Sequence, residues 1–182
     1  FPRYQIGESM LPYTMTLLAR LGVLDRVREQ GYVQKRGAEF IFPDGDFRRI
    51  DFRDQGEGRF PETIQVERAH FDALLADHAR TCGATLVEGG HVTEVLFQDG
   101  RAVGVRYEQD GETRTVQARY VIDAAGRGSR IATALKLRRT IERLRNVAAF
   151  RHFTGLDERH NPGAEGDIQI GGHADGWYWE IP

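Results

Sequence analysis

Two Asp-Gly pairs, Asp99-Gly100 and Asp110-Gly111, constrain this chain more than any other feature. Asp-Gly tolerates positive φ at both central positions of a two-residue hairpin turn, so each pair joins antiparallel strands. The runs they separate, residues 91–97, 102–108 and 113–119, therefore form a three-stranded meander. It feeds into Tyr120-Val121-Ile122-Asp123-Ala124-Ala125, a nearly continuous apolar run of the kind that fills a central parallel strand. Gly126-Arg127-Gly128-Ser129 then turns toward a helix over residues 130–137. A meander leading into a strand, a glycine turn and a helix makes the fold class α/β, with α+β elements.

Upstream, Leu11, Met15, Leu18 and Leu21 recur at helical spacing over residues 9–21, with Ser9 as N-cap and Pro12 in the first turn, where its missing N–H is harmless. A shorter helical piece, residues 23–29, stops at Gly31. Residues 38–42 and 47–52 flank Pro43-Asp44-Gly45-Asp46, a hairpin turn, and residues 53–61 read as loop. A strand over residues 63–67 leads to a helix over residues 70–79, where Phe71, Leu74, Leu75 and His78 share one face and Gly83 ends the run. Residues 84–87 read as a short buried strand. Beyond Arg145 come strands at residues 147–153, 167–171 and 177–181, separated by Gly-rich and Asn-Pro loops. This change of texture places a domain boundary near residue 143, giving domains 1–143 and 144–182.

Composition removes several function classes. The 182 residues balance 25 basic against 27 acidic side chains, a net charge of −2, with no concentration of Lys and Arg, so nucleic acid is not an expected partner. No apolar stretch is long enough for a membrane span, and Phe1-Pro2-Arg3-Tyr4 is not a signal peptide, so a soluble cytoplasmic protein is expected. Cys82 is the single cysteine, which excludes an internal disulfide and a cysteine-based zinc site. A chain that starts on Phe1 and ends on a strand-like run reads as an internal fragment. Of the 25 basic residues only Lys35 and Lys136 are lysines, so a lysine here raises a chemical question.

Ser9, in Gly7-Glu8-Ser9-Met10-Leu11, lacks the second glycine of a nucleophile elbow and reads as a helix cap or ligand contact. His152, His160 and His173 have no partner at metal-binding spacing, and no metal is expected. Gly126-Arg127-Gly128-Ser129-Arg130-Ile131 resembles a dinucleotide loop with Ile in place of the third glycine. After a strand carrying Asp123 it suits a cofactor's polar group, and it equally suits a tight turn whose glycines are purely conformational. Lys35 lies between a helix end and the first hairpin strand. Desolvated, it could act as a nucleophile or donor as no arginine can; composition alone favours a solvated lysine. Trp177 and Trp179 fall at i and i+2, on one face of a strand, with Tyr178 and Glu180 on the other. Paired indoles suit a flat aromatic wall, and core packing would give the same pattern.

Several segments together resemble one family. Phe1-Pro2-Arg3-Tyr4-Gln5-Ile6-Gly7-Glu8-Ser9, Lys35-Arg36-Gly37-Ala38-Glu39-Phe40, and Trp177-Tyr178-Trp179-Glu180-Ile181-Pro182 are similar to segments of the flavin-dependent halogenases. Val66-Glu67-Arg68-Ala69-His70-Phe71-Asp72 and Val121-Ile122-Asp123-Ala124-Ala125-Gly126-Arg127 resemble FAD-domain segments of the wider superfamily of aromatic hydroxylases and geranylgeranyl reductases. The resemblance implies a truncated Rossmann-like FAD-binding domain with an inserted antiparallel meander, followed by the start of an antiparallel substrate sheet. It implies FAD contacts at Arg3, Ser9, Arg68, Asp123 and Gly126, with the Val92 backbone near the adenine. It also implies reduced FAD supplied by a separate flavin reductase, with O2 and halide as co-substrates. A flavin hydroperoxide would yield hypohalous acid, which Lys35 delivers to a phenol- or pyrrole-type substrate, free or tethered to a carrier protein. Trp177 and Trp179 would partition flavin from substrate. The rival readings are an FAD-dependent aromatic monooxygenase or geranylgeranyl-reductase-like oxidoreductase, and a non-catalytic fragment. The isolated chain is expected to be inactive and poorly folded.

Overall fold

The computed structural model describes residues 3–56, 60–155 and 164–182. It comprises two compact units, residues 1–86 with 153–182, and residues 87–152. These limits differ from the boundary expected near residue 143, because a C-terminal strand pairs inside the first unit.

In the first unit, α1 (Pro12–Arg20) and α2 (Leu24–Arg28) turn Met15, Leu18, Leu24 and Val27 inward. They meet Ile64, Val66, Phe71 and Leu74 from β4 (Thr63–Gln65) and its flank and from α3 (Arg68–Thr81), forming one apolar cluster. β1 (Val33–Lys35) pairs antiparallel with β4, setting Lys35 opposite Thr63. The chain changes sheets at Arg36. β2 (Gly37–Ile41) pairs antiparallel with β3 (Phe47–Asp51), and the expected hairpin is present. On the other side of β2, β8 (Ile168–His173) runs parallel, and β9 (Gly176–Glu180) completes the order β3-β2-β8-β9. The sheet is thus mixed rather than antiparallel throughout.

Asp167 fixes the corner at which the chain changes sheets. Neither Arg36 nor Gly37 can place its N–H in both ladders, and both donate to Asp167 Oδ1, at 2.8 and 2.6 Å. Its Oδ2 takes Arg49 Nε and Nη2 at 3.0 and 2.8 Å, so a carboxylate only 1% exposed is fully partnered. Gly166, next to it, passes so close beneath β1 that a Cβ would overlap the Gln34 carbonyl oxygen.

In the second unit the meander is as expected: β5 (His91–Gln98), β6 (Arg101–Gln109) and β7 (Glu112–Gln117) pair in order. Asp99 and Asp110 have φ of 51° and 52°, the geometry the Asp-Gly pairs demand. A short α4 (Arg130–Ala134) follows, capped by Ser129, whose Oγ accepts from the Ala132 N–H at 3.0 Å.

Four expectations are corrected. Ser9 is not the cap of α1; Leu11 is. The Met10 N–H donates to Ile64 and the Val66 N–H to Glu8, so residues 8–10 run extended beside β4, and Ser9 bridges Gln65. Residues 84–87 are not a buried strand: the Ala84 N–H closes the end of α3 on Ala79, and the run is exposed. Residues 120–125 and 147–153 are not strands either, and Tyr120 and Ile122 are 79% and 89% exposed. Apolar composition favours a strand only where a neighbour offers a ladder, and no described segment does so here. His160 and the Phe1-Pro2 start lie outside the described residues.

D167N keeps the shape of the buried group while removing the charge that Arg49 faces. In the intact protein it should lower folding stability by about 3 kcal/mol, the scale for breaking a buried ion pair, read from the urea midpoint. A midpoint equal to that of the parent would show that the corner does not depend on this charge.

Candidate functional site

The amine of Lys35 lies at the end of β1 with its side chain 2% exposed. Nζ donates to Ser9 Oγ at 2.8 Å and to the Met10 carbonyl at 3.0 Å, and stands 5.3 Å from the centre of the Phe52 ring. Both acceptors are neutral. Burial therefore dominates and lowers the pKa from 10.5 to about 8, opposed by the negative charge of Asp167. A substantial fraction of this amine is neutral near pH 8, which an arginine at the same position could not match. The solvated lysine that composition favoured is thus not what the fold builds.

Around the amine the core is polar. Glu39 is buried and accepts from Gln169 Nε2 at 2.8 Å. Thr63 and Gln65 are also buried; Gln65 Nε2 donates to the Gly166 carbonyl at 2.9 Å. Beyond Arg49, Asp51 sits between two guanidiniums, Arg53 chiefly and then Arg49, which hold its carboxyl well below the usual range.

A cavity of about 450 Å³ is lined by Leu11, Tyr13, Ala38, Phe40, Ile50 and Phe52 among others; Lys35 is not in its lining and is linked to it through Phe52. Phe52 is shared: its ring forms part of the wall and also faces Nζ. Flat apolar walls of this kind suit a planar aromatic molecule. The Phe52 N–H, bonded to the Arg36 carbonyl at 2.9 Å, ties this wall to the sheet corner. Sequence reasoning missed Phe52, Tyr13, Thr63, Gln65 and Asp167, which carry no motif; only the register of β1 on β4 brings Thr63 to the lysine.

The other expected residues have definite places. Arg68 is held by Asp72 at 2.8 and 3.0 Å and donates Nη1 to the Ile6 carbonyl at 2.9 Å, so it ties the N-terminal segment to α3. Arg3 is exposed in that same segment. Trp177 and Trp179 lie on one face of β9, 57% and 56% exposed, while the ring of Tyr178 crosses Gly171 on the other face. In the second unit, Val92 lies on β5 opposite Tyr107. Asp123 accepts from the Ile131 and Ala125 N–H groups at 2.8 and 3.1 Å and from Ser129 Oγ at 2.8 Å; these bonds lower its pKa. Asp123 thereby shapes the turn that carries Gly126, whose φ is +58°. Among the described residues no group of three His, Cys, Asp or Glu side chains could hold a metal ion.

Residues 7–154 match the FAD binding domain model. The chain belongs to the FAD-binding domain family. As a member of that family it is also similar to flavin-dependent halogenases. It is 34% identical over 197 residues to the flavin-dependent halogenase armH4 of Armillaria mellea, covering 100% of this chain and 37% of that protein. It is 26% identical over 207 residues to the 1H-pyrrole-2-carbonyl-(peptidyl-carrier protein) chlorinase of Pseudomonas fluorescens, covering 100% of this chain and 45% of that protein. The solved structure of the flavin-dependent halogenase CmlS matches with a TM-score of 0.83 at 33% identity, covering 100% of this chain and 33% of that one. This FAD-binding-family chain therefore spans a third to a half of the length of those relatives. The expected family and the mixed helix and strand fold are both borne out.

The buried amine links stability to pH. Its folded pKa lies below the unfolded value of 10.5, so between about pH 8 and 10.5 the unfolded state binds more protons and stability rises with pH. K35M should be at least as stable as the parent below pH 8. The difference in urea midpoint between the two should shift toward the parent across that window; a difference independent of pH would refute the depressed lysine.

Proposed function

We propose that the protein carrying this chain halogenates an electron-rich aromatic substrate of the phenol or pyrrole type in an FAD-dependent reaction. The observation that carries this reading is the burial of Lys35 with its amine over the ring of Phe52, a residue that also lines an aromatic-walled cavity. A neutral amine held by two acceptors can receive a small electrophilic oxidant and present it to a ring in that cavity. Lys35 is the residue assigned to the chemistry, with Ser9 and the Met10 carbonyl orienting its amine.

The second unit fits a flavin nucleotide. A Cβ on Gly126 or Gly128 would meet nothing within 4 Å, so the backbone at this turn is open to the close approach of a ligand. Asp123 and Gly126 would hold the cofactor there, with the Val92 backbone beside the adenine; in the first unit the family resemblance assigns flavin contacts to Arg3, Ser9 and Arg68. Reduced FAD, when bound, supplies the reducing equivalents with which O2 and halide are converted to the halogenating oxidant. A flavin reductase as electron source, and a cytoplasmic setting in which it would operate, belong to the same proposal. No helix of the described residues is long and apolar enough to cross a membrane.

The substrate is small and aromatic. The name of the Pseudomonas fluorescens relative, a chlorinase of a carrier-bound pyrrole, favours a tethered substrate as one form it takes. On β9, at the end of the mixed sheet, Trp177 and Trp179 are the residues assigned to partition flavin from aromatic ring, leaving a diffusible oxidant to connect the two.

In the intact protein K35A and K35R should each lose halogenation by at least 100-fold at undiminished FAD retention, because K35R keeps the charge and lacks the neutral amine. The parent, given reduced FAD, O2 and a phenol or pyrrole, should yield halogenated product with chloride or bromide and no hydroxylated product without halide. Normal turnover by K35R would make the lysine a mere charge. Hydroxylation in halide-free buffer, matching oxygen uptake, would move the assignment to the aromatic monooxygenases.

A further inference from the structure

Two buried oxygens on the face that carries the lysine have no partner among the described residues. Thr63 Oγ1 and Gln65 Oε1 are both shielded from solvent, and no described group donates to or accepts from either. Thr63 is 0% and Gln65 3% exposed. An unpartnered polar atom in a protein interior is costly, and such atoms concentrate where a ligand or ordered water completes them.

Their placement is determined by the sheet. Thr63 and Gln65 are i and i+2 on β4 and so share a face. Lys35 is the direct cross-strand partner of Thr63, and paired residues project to the same side. Ser9, whose Oγ takes one Lys35 proton, is bridged to Gln65 along the opposite edge of β4. Thr63, Gln65 and Lys35 therefore share one buried face of the β1–β4 pair, and Ser9, paired with Gln65, lies on the same face. Gln65 is held rigidly, since its Nε2 is anchored on the Gly166 carbonyl and only Oε1 is left to receive a donor.

We infer that Thr63 and Gln65 form a receptor for a single water-sized O–H molecule beside Lys35, and that in turnover this molecule is hypohalous acid. This identification of the ligand rests on the halogenase reading. Gln65 Oε1 accepts the ligand's O–H, and the Thr63 hydroxyl donates to its oxygen. The halogen, which can make neither bond, is left on the side of the lysine. Holding requires no bond to be made or broken. Thr63 and Gln65 are positioning residues, acting on the oxidant before it reaches the amine, and at rest the same place holds one water.

The test uses T63V, which keeps the shape of the side chain and loses the hydroxyl, with T63S as the conservative control, both in the intact protein. Flavin-free T63V should remain folded and melt somewhat below the parent temperature, because the resting water loses its Thr63 partner. In turnover its halogenated product per flavin oxidised should fall at least tenfold, with the difference recovered as free hypohalous acid by an external scavenger. T63S should restore coupling to within twofold of the parent. A crystal structure of the parent should show one water within hydrogen-bond distance of both oxygens. If T63V is too unstable to assay, Q65M serves in its place, with the same expected loss of coupling. Parent-like coupling in the variant, or a direct Thr63–Gln65 hydrogen bond in the crystal, would each overturn the receptor. A parent that oxidises flavin yet forms neither product nor hypohalous acid would overturn the halogenase reading itself, and with it the assigned ligand.

Discussion

The first unit depends on the carboxylate of Asp167. A chain that leaves one sheet and enters another within a single residue, here Arg36 between β1 and β2, strands its corner N–H groups outside both ladders. Asp167 collects the two N–H groups of Arg36 and Gly37, while Arg49 neutralises its charge from the neighbouring strand. The same bonds seat β8 parallel to β2, although the partners lie up to 131 residues apart in sequence. Lys35 is the residue immediately before this corner, and the Phe52 wall hangs from the Arg36 carbonyl. The amine, its aromatic neighbour and the cavity are thus consequences of how one corner is satisfied.

The chemistry at Lys35 follows from what the corner withholds. Asp167 is close enough to raise the lysine's pKa, yet its oxygens are already taken by backbone and guanidinium donors. The amine is left with a hydroxyl and a carbonyl, neither of which repays the loss of water around an ammonium group. A direct carboxylate partner would have held the lysine charged and unreactive. With Asp167 bonded to the backbone and to Arg49, burial lowers the Lys35 pKa to about 8, a range that no arginine reaches at this position.

What was legible in the sequence was local. Asp-Gly pairs encode their own turn geometry, so the meander and its joints could be read without knowing anything distant. The 43–46 hairpin and the apolar face of α3 followed from spacing for the same reason, whereas of the four residues read as the α1 face only Met15 and Leu18 are buried and Leu11 and Leu21 are exposed. The misreadings share one cause, that strand formation is a property of pairs. Residues 120–125 and 147–153 have the composition of strands and no described ladder to join, whereas residues 8–10 look unremarkable and are drawn into extended pairing by β4. Within the site, Lys35 was visible as a scarce residue type and Ser9 as a candidate ligand contact. Thr63 and Gln65 were invisible, since only cross-strand register gives them a role, and a lone Asp in a Gly-rich stretch offers no pattern from which Asp167 could be found.

The tryptophan pair shows how register can separate two explanations that composition leaves tied. Spacing alone allowed Trp177 and Trp179 to be core residues or an exposed aromatic face. Both indoles are more than half exposed, and the single ring that packs closely, Tyr178, does so on the opposite face, over a glycine that leaves it room. Core packing is therefore not what keeps the two indoles together on this strand. Both indoles instead face outward from one place on the strand. On β9 that place is held by the same sheet as the Asp167 corner, so the constraint that positions the lysine also fixes the strand that carries both indoles.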